Sequence, residues 1–140
     1  IIHVHEADIY GNARFKGIAI SDLDLASASK RLIITTEKLI HNDDISSDPG
    51  STNIPYYLVD AVCEVPFGAY PGNMAYEYFS DEEHLREWLT VERDPEAFAA
   101  FLKRNIFDCV DNEAYIAANG GARKMRELRA KELLLYREEN

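Results

Sequence analysis

The chain has 140 residues, 46% of them apolar and 11% aromatic, enough for one domain with a real core and incompatible with a disordered polymer. Its formal charge of −10, from 15 basic and 25 acidic side chains, argues against a nucleic-acid-binding domain, which wants a basic stripe. No apolar run approaches the roughly 18 residues that span a bilayer. The two cysteines, Cys63 and Cys109, are too few for a disulfide framework, so a cytoplasmic, reducing setting is expected.

Ile1-Ile2-His3-Val4-His5 reads as a strand by its β-branched content, and the chain enters it with no Met and no polar lead, as the interior of a longer protein would. Ala7 to Asn12 is a turn broken at Gly11-Asn12, and Ala13 to Ile20 is extended. Ser21 or Asp22 caps a short helix ending at Ala28. Leu32 to Thr36 is a second strand, a nearly continuous apolar run suited to burial on both faces. Residues 41–53 are polar, contain Pro49-Gly50, and read as a loop. Tyr56 to Val65 is mostly extended, and Pro66, Gly68, Pro71 and Gly72 force an irregular loop after it.

Helices follow. Ser80 with Glu83 forms a capping box whose helix carries the stripe Leu85, Trp88 and Leu89. Asp94-Pro95 starts another helix with Phe98, Phe101 and Leu102 inward and Ile106 one turn on. Asp111 caps a short helix stopped at Gly120-Gly121, and a last helix runs from about Ala122 to Arg137. Its inward side is Ala122, Met125, Leu128, Leu133, Leu135 and Tyr136. The whole reads as α/β: an open, mostly parallel sheet with flanking helices over 1–75, and a helical C-terminal extension over 76–140. Charge shifts along the tail, with four basic against eleven acidic residues over 71–120 and six against four over 121–140.

No strong catalytic motif is present: no nucleophile elbow, no phosphate-binding loop and no dinucleotide fingerprint. His3 and His5 share one face of their strand and, with Glu6 or Asp8, could bind a metal, but no further His/Cys cluster completes a site. Metal binding is therefore not expected. Cys63 and Cys109 read as core thiols, and His41 and His84 as surface residues. Glu37, Asp60 and Glu64 follow or interrupt apolar strands, where strand ends line the crevice of an open α/β sheet; ion pairing or loop capping is favoured over catalysis. The loop Pro66 to Met74 suits a small-molecule pocket or an oligomer contact, and the basic stretch Arg123 to Lys131 a solvated helix face.

Three segments in order carry a resemblance. They are Ala7-Asp8-x-x-Gly11-Asn12 with Arg14-x-x-Gly17, the stretch from Ala26 through the strand Leu32 to Glu37, and Ile54-Pro55-x-x-x-Val59-Asp60-Ala61-Val62 running into Pro66-x-Gly68-Ala69-x-Pro71-Gly72. Over about residues 1–92 the chain resembles the C-terminal half of the A (alpha) subunits of class I coenzyme A transferases, nearest to those of the glutaconate CoA-transferases. The resemblance implies an α/β fold shared with sugar-phosphate isomerases and a partner, the B subunit, in a heterodimer or heterotetramer. It implies transfer of CoA, as co-substrate, between an acyl-CoA and a small carboxylic acid, dicarboxylic acids included. The nucleophilic glutamate would lie in the B subunit, so no catalytic residue is assigned here. Asp8, Gly11, Asn12, Gly68, Ala69 and Tyr70 match positions near the shared crevice, as substrate-side support. The glycine-rich substrate loop would belong to the N-terminal half. Relatives on this scaffold that hydrolyse or decarboxylate CoA-linked acids are the first alternative, and a non-catalytic ligand-binding α/β module the second.

Overall fold

The computed structural model describes residues 1–134 and divides into two compact units, Ile1–Gly68 and Ala69–Asn140. Among the described residues no helix is long and apolar enough to cross a membrane.

The first unit is built on a four-stranded mixed sheet in the order β2-β1-β3-β4. β1 (Ile2–Ala7) pairs in parallel with β3 (Ile33–Leu39), and β3 in parallel with β4 (Ala61–Glu64). β2 (Ala13–Arg14) returns antiparallel on the other side of β1. Two short helices serve the crossovers, α1 (Asp22–Ala28) between β1 and β3 and α2 (Asn42–Ser47) between β3 and β4. The expected open, mostly parallel sheet with flanking helices is what forms.

Strand alternation sorts the sheet into two unlike faces. Ile2 and Val4 lie in register with Ile34 and Thr36, and with Ala26, Leu32 and Ile54 they make the core. Burying each large aliphatic contributes about 1.5–3 kcal/mol. His3, Thr35, Glu37 and Cys63 alternate onto the opposite face. The strand at 32–36 is thus buried on one face only: Ile34 is fully covered and Ile33 is exposed. Cys63 is exposed, not a core thiol, because β4 has a strand neighbour on one side only and its outer face is open. Cys109 is half-buried.

Other departures have local causes. Only Ala13 and Arg14 of the stretch expected to be extended join a strand, and Ile18 and Ile20 stand exposed. Residues 41–53 are not a loop throughout: His41 caps α2 by accepting the Asp43 N–H while Asp44 accepts the His41 N–H, and Pro49–Ser51 adds a 3-10 turn. Tyr56–Leu58 is a 3-10 turn ahead of β4.

The second unit is helical. α3 (Glu82–Val91) is capped by Asp81 rather than Ser80, its carboxylate accepting the His84 N–H. α4 (Pro95–Leu102) is capped by Asp94, which takes the N–H groups of Glu96 and Ala97. α5 (Asn112–Ala118) is capped by Asp111, and α6 (Gly121–Glu132) follows the Gly120-Gly121 break. The core is Tyr70, Met74, Tyr78, Phe101, Met125 and Leu128, with His84 and Asn105 buried among them. His84 is therefore not a surface residue. Trp88 and Leu89 are exposed where an inward stripe was expected. Ile106 also points out: Lys103–Phe107 forms a π-helical turn, whose extra residue rotates the helix face and sends Asn105 inward in its place. Leu133 is exposed, and the expectation for Leu135, Tyr136 and Arg137 falls outside the described residues.

Candidate functional site

Parallel strands present their ligands at their carboxyl ends, and β1 and β3 end side by side. Asp8 follows β1 directly and is fully buried. Its Oδ1 accepts the backbone N–H groups of Tyr10 (3.0 Å), Gly11 (3.0 Å) and Asn12 (2.9 Å). Its Oδ2 accepts the side-chain amides of Asn12 and of Asn42, each at 2.8 Å. Asn42 begins α2, so this one carboxylate ties the β1 turn to the β3 exit. Burial pushes the Asp8 carboxyl up, but the Asn12 and Asn42 amides and the backbone donors outweigh it and hold the group below its ordinary value. A carboxylate with five donors on it is a scaffold and not a proton carrier.

Gly11 is forced by two conditions at once. Its φ is +103°, and a Cβ there would lie 2.8 Å from Cβ of Val59. Asn12 Oδ1 accepts the Tyr56 N–H at 3.3 Å, joining the turn to the segment before β4. Beside this turn Ile9, Tyr10, Ile40, His41, Asn42 and Asp43 line an open hollow of about 270 Å³. Asp8, Gly11 and Asn12 thus come together as one built element at the carboxyl end of the sheet.

Gly68 lies elsewhere in the first unit. A Cβ on it would meet Cε1 of His3 at 2.6 Å and the Val65 carbonyl oxygen at 2.9 Å. His3 places Nε2 2.8 Å from Glu37 Oε1 and Nδ1 2.9 Å from Thr35 Oγ1. Glu37 Oε2 accepts the Phe67 N–H at 2.8 Å. The His5 Nδ1 accepts the Lys16 N–H. These contacts give the two imidazoles structural partners, and no group of three or more potential metal ligands converges among the described residues. Asp60 pairs with Arg31 at 2.6 Å and accepts the Leu32 N–H, and Glu64 accepts the Leu39 N–H, so both serve as pairing and loop-capping groups.

Ala69 and Tyr70 belong to the second unit. The Ala69 N–H donates to the Tyr78 hydroxyl at 3.0 Å. The Tyr70 hydroxyl donates to Asp81 Oδ2 at 2.8 Å. Burial, then the Asp81 carboxylate, push the Tyr70 phenol far above its usual value, and burial takes Tyr115 up to about 12. Both rings pack with His84, at 5.7 Å and 6.2 Å, and Phe101 closes the cluster 5.4 Å from His84. Burial lowers the His84 imidazole, favouring its neutral form. Sequence reasoning missed His84 and Asn42. Asn42 acts across 34 residues through β1–β3 pairing, which leaves no local signal; His84 could have been found from its place three residues after a cap and one before Leu85.

No family model matches the chain. It is 36% identical to the A subunit of glutaconate CoA-transferase from Acidaminococcus fermentans over 88% of this chain and 38% of that protein. It is 33% identical to the A subunit of 3-oxoadipate CoA-transferase from Pseudomonas knackmussii over 76% of this chain and 37% of that protein. The crystal structure of glutaconate coenzyme A-transferase from Acidaminococcus fermentans superposes with a TM-score of 0.87 at 35% identity, covering 91% of this chain and 40% of that one. The chain therefore spans well under half the length of the relatives it matches. Over that part of their length the chain is similar in sequence to the A subunits of glutaconate and 3-oxoadipate CoA-transferase, and similar in fold to glutaconate coenzyme A-transferase.

Proposed function

We propose that this chain acts as part of the A subunit of a two-subunit CoA-transferase, moving CoA between an acyl-CoA and a small carboxylic acid. The observation that carries the reading is the joint likeness in sequence and fold, 35% identity at a TM-score of 0.87. The turn Asp8-Gly11-Asn12 and Gly68, all in the first unit, support the acid-substrate side of the crevice, and the partner B subunit supplies the nucleophilic glutamate.

The bonding of this chain's own carboxylates supports that division of labour. Asp8, Glu37, Asp60 and Glu64 each hold backbone N–H groups, so none is presented as a free nucleophile. In the reaction the partner's carboxylate attacks the thioester carbonyl and displaces CoA thiolate, leaving a mixed anhydride. The thiolate then attacks the glutamyl carbonyl, releases the first acid as carboxylate and leaves a glutamyl-CoA thioester. The second acid reverses both steps and departs as its CoA ester.

The test is mass spectrometry of the complex purified with its natural partner, after acyl-CoA and borohydride. Reduction of a glutamyl thioester to an alcohol on a partner peptide is the expected result. The same change on a peptide of this chain overturns the division of labour between the two chains. No modified glutamate on either chain moves the reading to CoA-ester hydrolysis or decarboxylation on the same scaffold.

A further inference from the structure

β4 is followed at once by a tight turn. The Val65 N–H donates to the Thr36 carbonyl, and the Gly68 N–H returns to the Val65 carbonyl at 3.0 Å, with Pro66 and Phe67 between. The third place of such a turn can demand a positive φ, which glycine or asparagine normally provides. Here it is Phe67, at φ +59°. A left-handed residue with a side chain is strained and persists only where its surroundings over-determine it.

The surroundings here are specific. Glu37 Oε2 accepts the Phe67 N–H, its Oε1 faces His3 Nε2, and His3 Nδ1 rests on Thr35 Oγ1. The His3 and Glu37 side chains are 13% and 6% exposed. With Glu37 ionised the Nε2 carries the proton, and Nδ1 accepts from the threonine hydroxyl. The chain runs hydroxyl, imidazole, carboxylate, backbone N–H across β3 and β1 to the turn. Gly68 then lies directly against the His3 ring.

We infer that His3 and Glu37 are positioning residues which clamp the Phe67–Gly68 turn against the polar face of the sheet and so fix Gly68 where the acid substrate is bound. The inference rests on the proposed function for the role of Gly68, but the clamp itself does not. A clamp on a binding loop acts alike on ground and transition states, because the nucleophile is elsewhere; it therefore sets KM for the acid and leaves kcat.

The experiment compares Glu37→Ala, Glu37→Gln and Glu37→Asp in the full protein with its partner, reading acid KM, kcat and amide hydrogen exchange over residues 65–70. Glu37→Ala removes both contacts. It is expected to raise acid KM at least tenfold with kcat within twofold, and to speed exchange of the Phe67 amide at least tenfold. Glu37→Gln keeps both: its carbonyl accepts the Phe67 N–H and its amide donates to Nε2 of the other histidine tautomer. It is expected within threefold of the parent in KM and exchange. Glu37→Asp is one methylene short of holding both ends and falls between, so the series is read even if the alanine variant does not fold. The inference is overturned if Glu37→Ala leaves KM and exchange unchanged, or if Glu37→Gln loses as much as Glu37→Ala. If the parent complex transfers no CoA, the function fails while exchange alone still decides the clamp.

Discussion

Each unit is fastened by one buried aspartate, and the two are satisfied in different ways. Asp8 in the first unit takes five donors, all neutral amides, three of them backbone. Asp81 in the second takes a phenol from Tyr70, one backbone N–H from His84 and the ammonium of Lys124 at 3.4 Å. Burial pushes both carboxyls up, and in both the donors outweigh it and hold the group low. Amide donors are fixed in direction, whereas a hydroxyl can turn and an ammonium can move. The first site is therefore a geometric lock, and the second tolerates change.

Asparagine substitution breaks this comparison most strongly. Asp8→Asn must set an NH2 group against amide donors, either those of Asn12 and Asn42 or the three backbone N–H groups. Stranding buried donors costs about 1–3 kcal/mol each, so a loss of about 3 kcal/mol or more is expected, read as a fall in the urea midpoint. Asp81→Asn leaves an oxygen for the His84 N–H, and the Tyr70 hydroxyl turns to accept from the new NH2. About 1 kcal/mol is expected there. Equal losses at the two positions would show that charge, not donor geometry, governs both.

The same contrast explains what could be read before the structure. The Asp8-Gly11-Asn12 turn is local chemistry: a short acceptor side chain, a residue able to take positive φ and a side-chain amide, all within five residues. The parallel sheet followed from two β-branched runs, and the helical tail from caps such as Asp94-Pro95 and Asp111. What was hidden depends on partners distant in sequence. Asn42 joins Asp8 only once β1 and β3 align. Cys63 has the pattern of a core residue and lies on an open strand. α2 has an unusual histidine cap and a single buried side chain, Ile45, too little periodicity to register. The π-helical turn at Lys103–Phe107 shifts the face that regular spacing assigns to Ile106.

Acid sharpens the comparison further. Both aspartates sit below the ordinary 3.8. Their contribution is whole above that pH and is lost as pH falls from there through each lowered folded value. His84 adds an earlier stage in the second unit only through its own depression. The unfolded imidazole takes a proton near 6.5 while the folded one, buried against Tyr70, Phe101 and Tyr115, resists. Stability is therefore drained as pH falls from about 6.5 towards the folded value. His84→Phe keeps an aromatic ring and removes the proton site, so the fall in Tm between pH 7.5 and pH 5.5 should be shallower than in the parent. An unchanged slope would remove His84 from the account.

The smallest effect separates the two carboxylates around Lys124. Its ammonium is 2.9 Å from Glu83, whose side chain is 84% exposed, and 3.4 Å from Asp81, whose side chain is 5% exposed. Screening in water leaves an exposed pair worth about 0–1 kcal/mol, so the shorter contact need not be the stronger. Lys124→Met keeps the aliphatic stem beside Gly120 and removes only the charge. A loss of about 0.5–1 kcal/mol is expected. Added salt shortens the screening length to about 3 Å at 1 M, which silences Glu83 and reaches the covered Asp81 much less. If Asp81 is the partner that matters, most of the Lys124→Met loss persists at 1 M salt and Glu83→Ala is neutral. A loss that vanishes with salt would give the bridge to Glu83 and leave Asp81 held by Tyr70 and the His84 N–H alone.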